Sequence, residues 1–269
     1  MYTLKMGASS AGRGMENSYV FKSYDDAGIE YMEVSSRPLE YENYDWDEVK
    51  KACESSKTKI WSLHTPFHPD THNIANMNKE IRDFTIECYK DLFYKAAYLG
   101  AKYVIVHPSS EPISDEERPF AIKYAKESLS VLAKEAKKAG IVIAVENLPR
   151  TCLGNTVEEL MDIISVDDSL VICFDVNHLL KQSHKHFVSV AGSKIKTLHI
   201  SDYDFIDERH LLPGEGKIDW KEILDLLEGI GYDGAFMYEV SLQADGDEGK
   251  HPTVSRAKEN FFNVMERKI

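Results

Sequence analysis

The sequence predicts a single-domain α/β fold, a (β/α)₈ barrel spanning residues 1–269, and three observations predict it. Eight short apolar runs alternate with segments of helical periodicity from end to end. Connections from helix to strand are tight, at Gly100-Ala101, Gly140 and 231–234, whereas connections from strand to helix are long, at 66–77, 108–118, 202–217 and 241–252. Most of the runs end on a carboxylate or an imidazole. In a parallel barrel the loops after the strands build the active-site face, so long loops and polar strand ends belong together. An open doubly wound sheet shares the alternation. No G-x-G-x-x-G follows the first run, so its dinucleotide-binding version has no support.

The strands are expected at 3–6, 29–34, 60–64, 103–107, 142–146, 171–175, 196–200 and 235–239. Between them, Ile81, Phe84, Cys88, Leu92, Ala96 and Leu99 keep the three- and four-residue steps of a half-buried helix. The same steps run through Ile122, Ala125, Leu129, Leu132 and Ala136. They recur at Trp220, Ile223, Leu224 and Leu227, and at Val254, Ala257, Phe261 and Met265. The segment 183–192 carries only a weak pattern. Asp219, with Glu222 three residues on, has the spacing of a helix-starting capping box. No linker, repeat or low-complexity tract marks a second domain.

Composition narrows the function. Hydrophobic residues make up 43% of the chain, enough for a full core. The net charge of −13 argues against broad binding to nucleic acid or an anionic membrane, where a basic footprint is expected. No stretch nears the roughly 18 apolar residues of a membrane span, and MYTLKMGASS lacks the apolar run of a secretory signal. Cys53, Cys88, Cys152 and Cys173 show no C-x-x-C spacing; Cys88 and Cys173 sit in apolar patterns and read as core. A reduced, cytoplasmic protein is expected. The pattern leaves room for a homo-oligomer.

The chemistry lies at the strand ends: Glu33, His64, His107, Glu146, Asp175, His199 and Glu239. Side chains two apart share a face, so Ala144 and Glu146 point together, as do Cys173 and Asp175, Thr197 and His199, and Met237 and Glu239. One histidine at a strand end is more often a structural hydrogen-bond partner than a ligand. A set converging on one barrel mouth is different, because unpaired buried charge is expensive. Few bases stand nearby in sequence. A divalent cation would neutralise the carboxylates and use the imidazole, and such an oxygen-rich site suits Mn²⁺, Mg²⁺ or Co²⁺ better than closed zinc coordination. After His199 comes a long charged loop, 202–217, containing Glu208 and His210; long loops in compact domains are usually functional.

The segments AVENLPRT, ICFDVNH, LHISD, DERHLLPGEGKIDW and MYEV, in this order, resemble the xylose isomerase-like barrel superfamily of sugar isomerases and epimerases. The resemblance spans 60–239. It implies that Glu146, Asp175, His199 and Glu239 hold one divalent metal, manganese first, with magnesium, cobalt or zinc as alternatives. It implies that Glu146 and Glu239 lie on opposite sides of a sugar or polyol substrate and move a proton at the carbon beside its carbonyl. His178 would sit beside the substrate, with His64, His107, Glu208 and His210 as further contacts. Loss of water after proton removal, as in an inosose dehydratase, is neighbouring chemistry, and a non-catalytic sugar-binding barrel is a further reading.

The superfamily also contains endonuclease IV-type apurinic endonucleases, whose three zinc ions use nine ligands. A candidate exists for each: His64, His107, Glu146, Asp175, His178, His199, Glu208, His210 and Glu239. Glu208 departs from that pattern, which has aspartate in its D-x-H motif. The acid-rich loop PSSEPISDEERP after His107 is poor for phosphate backbone binding, so a sugar enzyme is favoured and no nucleic-acid partner is expected.

Other candidates stay open. Glu33 either contacts substrate or closes its strand. Arg150 either holds an anion or is an exposed loop arginine. His184 and His186 are expected to be solvated. Phe67, Tyr203 and Phe205 could wall the sugar face, Trp61 reads as core, and His68 and His72 as lid or surface. The G-x-S-x-G nucleophile pattern is absent.

Overall fold

The computed structural model describes residues 2–11, 18–35, 41 and 43–269. Strands and helices alternate as β1 (Lys5–Ser9), α1 (Ser18–Ala27), β2 (Tyr31–Ser35), α2 (Trp46–Ser55), β3 (Lys59–His64), α3 (Lys79–Leu99), β4 (Tyr103–Val106) and α4 (Arg118–Ala139). They continue as β5 (Val142–Glu146), α5 (Val157–Ile164), β6 (Val171–Asp175), α6 (His184–Ala191), β7 (Ile195–His199), α7 (Trp220–Gly229), β8 (Ala235–Tyr238) and α8 (Val254–Met265). The eight strands pair in parallel in the order β7-β6-β5-β4-β3-β2-β1-β8. A bridge between Ile200 and Tyr238 closes the ring, with Ile200 N donating to Met237 O at 2.8 Å and Glu239 N to Ile200 O at 2.9 Å. The fold is the expected barrel, with helices packed outside.

The local chemistry accounts for the elements. Asn78, Thr156, Ser183, Asp219 and Thr253 each accept a backbone N–H in the first turn of their helix, satisfying a donor the helix itself leaves free. Gly100 and Gly140 end α3 and α4 at φ 83° and 75°, a left-handed turn that lets the chain enter the next strand within two or three residues.

Several expectations need correction. The first strand is Lys5–Ser9 rather than 3–6, because its partners are set by register: Lys5 opposes Ala235 on β8, and Ser9 opposes Glu33 on β2. The small residues Gly7, Ala8 and Ser9 thus belong to the strand although they carry little apolar bulk. His107 and Glu239 lie one residue beyond their strands. Helices α1, α2 and α5 were not picked out by the periodicity; α5 carries a capping signal in Thr156 and Glu159. The weakly patterned segment does form α6, which buries Phe187, Val188 and Ala191. His184, expected in solvent, is buried in its first turn, Nε2 lying 2.8 Å from Val176 O, with Phe174 and Tyr203 around it. His186 is exposed and meets Glu158. Cys88 is only half-buried, whereas Cys173 is fully buried.

Inside the barrel, the N-terminal half is plugged. Tyr103, Ile105, Ala144 and Cys173 pack together, with Trp61 and the first residues of β5 and β6 against them. Trp61 packs at a tilt between Tyr31 and Tyr103 and donates through Nε1 to Thr197 Oγ1 at 3.2 Å, so it is a filler of the barrel floor. The plug is apolar, and the polar strand ends lie above it, at the C-terminal mouth.

Candidate active site

Strand alternation delivers the site. Val142, Ala144 and Glu146 face inward along β5, as do Val171, Cys173 and Asp175 along β6. Asp175 opposes His199 in the β6–β7 register, and Glu239 follows β8. One ligand atom each from Glu146, Asp175, His199 and Glu239 lies within 4.8 Å of the others. His199 Nδ1 is 3.3 Å from Glu146 Oε2, 3.4 Å from Glu239 Oε2 and 3.9 Å from Asp175 Oδ2. These four atoms are buried and have no hydrogen-bond partner. Orphaned buried polar atoms cost free energy, and four of them aimed at one point fit a cation.

The remaining expected residues surround this cluster. His64 and His107 approach Glu146 Oε2 at 3.4 and 3.3 Å, and the three form a second possible ligand group. His178, Glu208 and His210 form a third. His178 Nδ1 lies 3.3 Å from Glu146 Oε1 and 3.5 Å from Asp175 Oδ2, and His210 Nε2 lies 3.2 Å from Glu208 Oε1. All nine sequence candidates therefore meet in one mouth; Glu146 belongs to the first two groups, and His178 of the third approaches it at 3.3 Å.

The electrostatics are asymmetric. Burial opposes ionisation of Glu146, but His199 and His107 outweigh it and hold the carboxyl well below the ordinary range. Glu239 is pushed up to about 7 by burial, with the charge of Glu146 adding to the effect. Burial disfavours charge on His199, yet Glu239, Glu33 and Glu146 raise it well above an ordinary imidazole. His178 is held at about 10: burial works against the proton, and Asp175 and Glu146 more than restore it. His107 goes the other way, lowered by burial.

Glu33 contacts this cluster from behind. It is fully buried on β2, accepts from Ser62 Oγ at 2.7 Å, and lies 3.1 Å from His199 Nε2. A carboxylate there makes Nε2 the protonated nitrogen and turns the Nδ1 lone pair toward the other three ligand atoms. Of the two readings left by the sequence, neither is adequate: Glu33 orients a strand-end imidazole. Ser62, which the sequence reading missed, holds Glu33 in turn. Glu33→Gln is expected to weaken Mn²⁺ binding by about 10-fold while circular dichroism stays unchanged. Unchanged affinity in a calorimetric titration would remove this role.

A cavity of about 290 Å³ opens above the cluster, lined by His64, His107, Glu146, His178, Glu208 and Glu239 among others. Phe67 forms part of its wall and stacks on His107, ring centroids 4.1 Å apart. His68 also lines it, whereas His72 packs against Phe84. Tyr203 and Phe205 do not reach this cavity; Tyr203 is buried and donates to Leu179 O. Arg150 reaches the rim but is bound by Glu111, Asp207 and Glu208, so its charge is already matched. Arg150 and His210 both have φ of 50°, left-handed backbone that costs energy in non-glycine residues and tends to sit at functional sites.

The floor of the 202–217 loop is Asp202, fully buried. Its Oδ1 accepts from Tyr203 N and Ile218 N at 2.8 and 3.1 Å, and its Oδ2 from Gly214 N and Trp220 Nε1 at 2.8 and 2.9 Å. Gly216 passes so close that a Cβ would lie 2.3 Å from Asp202 Oδ1, which is why glycine stands there. This knot fixes the loop that carries Glu208 and His210.

The fold and site define a parallel (β/α)₈ barrel whose C-terminal mouth holds a carboxylate–imidazole cluster suited to a cation. Residues 21–258 match the model of the xylose isomerase-like TIM barrel family, and the chain belongs to that family. It is 34% identical over 192 residues to an uncharacterised protein of Methanocaldococcus jannaschii, covering 66% of this chain and 63% of that one, so the match spans less than two thirds of that relative. It is 25% identical to the D-psicose 3-epimerase of Ruminiclostridium cellulolyticum, over 88% of this chain and 83% of the relative. A probable endonuclease 4 of Thermoplasma acidophilum is also 25% identical, over 81% of each chain. Among solved structures, a D-tagatose 3-epimerase-like protein superposes with a TM-score of 0.82 at 25% identity, covering 98% of this chain and 99% of that one. No helix among the described residues is long and apolar enough to cross a membrane.

Proposed function

We propose that this protein is a divalent-metal-dependent isomerase or epimerase acting on a small sugar, sugar phosphate or polyol ketone. The observation that carries the reading is the set of four orphaned buried atoms, Glu146 Oε2, Asp175 Oδ2, His199 Nδ1 and Glu239 Oε2, gathered below a sugar-sized cavity. The epimerase relatives support the reaction class. Three carboxylates and one imidazole favour manganese, with magnesium, cobalt or zinc as alternatives.

When bound, a divalent cation would supply Lewis-acid polarisation of a substrate carbonyl. The chain supplies the proton transfer. Each of Glu146 and Glu239 would give one oxygen to the cluster, while the second oxygen of Glu146 faces His178 Nδ1 at 3.3 Å. Glu146, held ionised by the histidines around it, is assigned the proton acceptor, and Glu239 the group that returns or relays the proton on the other side. Acceptor and donor on opposite faces of one carbon invert it; transfer between adjacent carbons interconverts aldose and ketose. His178 and His210 line the cavity and would hold hydroxyl groups, with Phe67 as part of one wall.

The test is exchange of substrate hydrogen with solvent. Ketoses incubated in D₂O with manganese-loaded protein should take up deuterium at the carbon beside the carbonyl, and dialysis against a chelator should stop it. Absence of exchange across free and phosphorylated ketoses and inososes would sink the reading.

Metal binding should also release protons. Glu239, Glu33 and Glu146 make His199 hold a proton more readily than an ordinary imidazole, and a ligand nitrogen must be free of one. Mn²⁺ affinity is therefore expected to rise with pH. The binding enthalpy at pH 7 should vary with the ionisation enthalpy of the buffer; a buffer-independent enthalpy contradicts the assignment.

One observation favours a second reading, a tri-zinc apurinic endonuclease: the nine candidates close into three ligand groups. Elemental analysis separates the two. About one manganese, magnesium or cobalt per chain fits the first. About three zinc ions per chain, with cleavage of abasic DNA, fits the second.

A further inference from the structure

Asn147 follows Glu146 at the end of β5 and is fully buried. Below it, β5 and β6 pair backbone to backbone from Ala144 opposite Val171 to Glu146 opposite Cys173, and Asn147 N donates to Cys173 O at 3.4 Å. There β5 ends as a strand, and the Asn147 side chain continues the ladder in its place. Its Oδ1 accepts from Asp175 N at 2.8 Å, and its Nδ2 donates to Asp175 O at 2.9 Å. A primary amide carries the donor and acceptor of a peptide group, so it can stand in for a strand residue.

The sheet does not need these two bonds to form, since three backbone pairs already join β5 to β6 below them. What they add is a grip on both backbone groups of a cluster residue. Asp175 is held further by Asn177 N, which donates to its Oδ1 at 2.6 Å, so Oδ2 is the oxygen left to face the cluster. The Asn147 carbonyl takes a third group, His178, whose Nδ1 lies 2.9 Å away. A carbonyl only accepts, so Nδ1 carries the hydrogen, and Nε2 is the nitrogen left for the cavity that His178 lines. Glu146 is the covalent neighbour. One residue thus ties together Glu146, Asp175 and His178.

We propose, on the metal-dependent reading, that Asn147 is a positioning residue: its amide sets the separation of Glu146 and Asp175, and its carbonyl sets the tautomer of His178. Metal and substrate then meet a site whose spacing is fixed in advance. Such sites tolerate errors of only about 0.5 Å in their groups, and the residues behind them supply that precision. Asn147 itself stays out of the cavity. In the segment AVENLPRT it has no visible role, because its partner Asp175 stands 28 positions on.

The test compares wild type, Asn147→Ala, Asn147→Ser and Thr58→Ala in Mn²⁺ affinity by calorimetry, in the visible spectrum of the Co²⁺-loaded protein, and in solvent exchange. Thr58 is the control: it is fully buried before β3, at the opposite end of the barrel, with Oγ1 2.8 Å from Ile29 O and 2.9 Å from Asp25 Oδ1. Its truncation loses buried hydrogen bonds far from the cluster. Asn147→Ala is expected to weaken Mn²⁺ binding by at least about 10-fold, the loss typical of groups that orient metal ligands. It should also alter the Co²⁺ absorption bands and lower kcat by a larger factor than it raises KM. Asn147→Ser should move the same readouts in the same direction, and carries the test if the alanine variant does not fold. Thr58→Ala should keep the wild-type affinity and spectrum. Wild-type affinity and spectrum in a folded Asn147 variant, or an equal loss in Thr58→Ala, overturns the proposal. Weakened metal binding in the Asn147 variants, with no exchange by wild type from any ketose, fails the isomerase reading and leaves the positioning role standing. Exchange by wild type, with unaltered metal affinity in the Asn147 variants, does the reverse.

Discussion

Glu146→Gln and Glu239→Gln should each lower kcat for solvent exchange by about 10³-fold, within the range by which a positioned acid or base contributes. Each change keeps the side-chain volume, removes one negative charge, and leaves an amide that neither accepts a proton from carbon nor returns one. The two should differ in metal binding. Glu146 belongs to two of the three ligand groups and faces His64, His107, His178 and His199 within 3.4 Å, so its loss removes the charge facing four imidazoles at once. Glu239 faces His199 and, more distantly, His210. Mn²⁺ affinity should fall further in Glu146→Gln than in Glu239→Gln. Circular dichroism should be unchanged for both, since the core beneath is apolar. Wild-type exchange in both variants would eliminate the two-carboxylate mechanism.

Asp202→Ala should lower the unfolding free energy by about 3 kcal/mol or more, because three backbone N–H groups and the Trp220 indole lose a buried acceptor together. The shift in urea midpoint reads the stability. The loop it anchors carries Glu208, His210 and Arg209, so the variant should also lose substrate affinity at temperatures where it remains folded. Gly216→Ala is a parallel probe, since its Cβ would collide with the same carboxylate. A stability loss within about 0.5 kcal/mol, the size of ordinary surface substitutions, would mean that the loop finds another anchor.

Much of the molecule was legible in the sequence because strand alternation and turn chemistry are local. A side chain's face follows from its neighbours two residues away, so Glu146 above Ala144 and Asp175 above Cys173 could be placed before any coordinates. Glycines after α3 and α4, Asp219 before α7, and the difference in loop lengths likewise need only nearby residues. The resemblance to the xylose isomerase-like barrels drew on the same strand-end residues.

What depended on distance in sequence was decided by the tertiary structure. Register, set by barrel closure, moved β1 onto Gly7, Ala8 and Ser9 and made Ser9 the neighbour of Glu33. It brought Glu33 to His199 across 166 positions, turning an ambiguous strand-end acid into the partner of an imidazole. Packing buried His184, which a polar stretch had suggested was solvated, and paired Arg150 with Asp207 and Glu208 from another loop. The physical reason is common to all of these. Local patterning sets which way each side chain points, but only the closed ring of eight strands sets which of them meet.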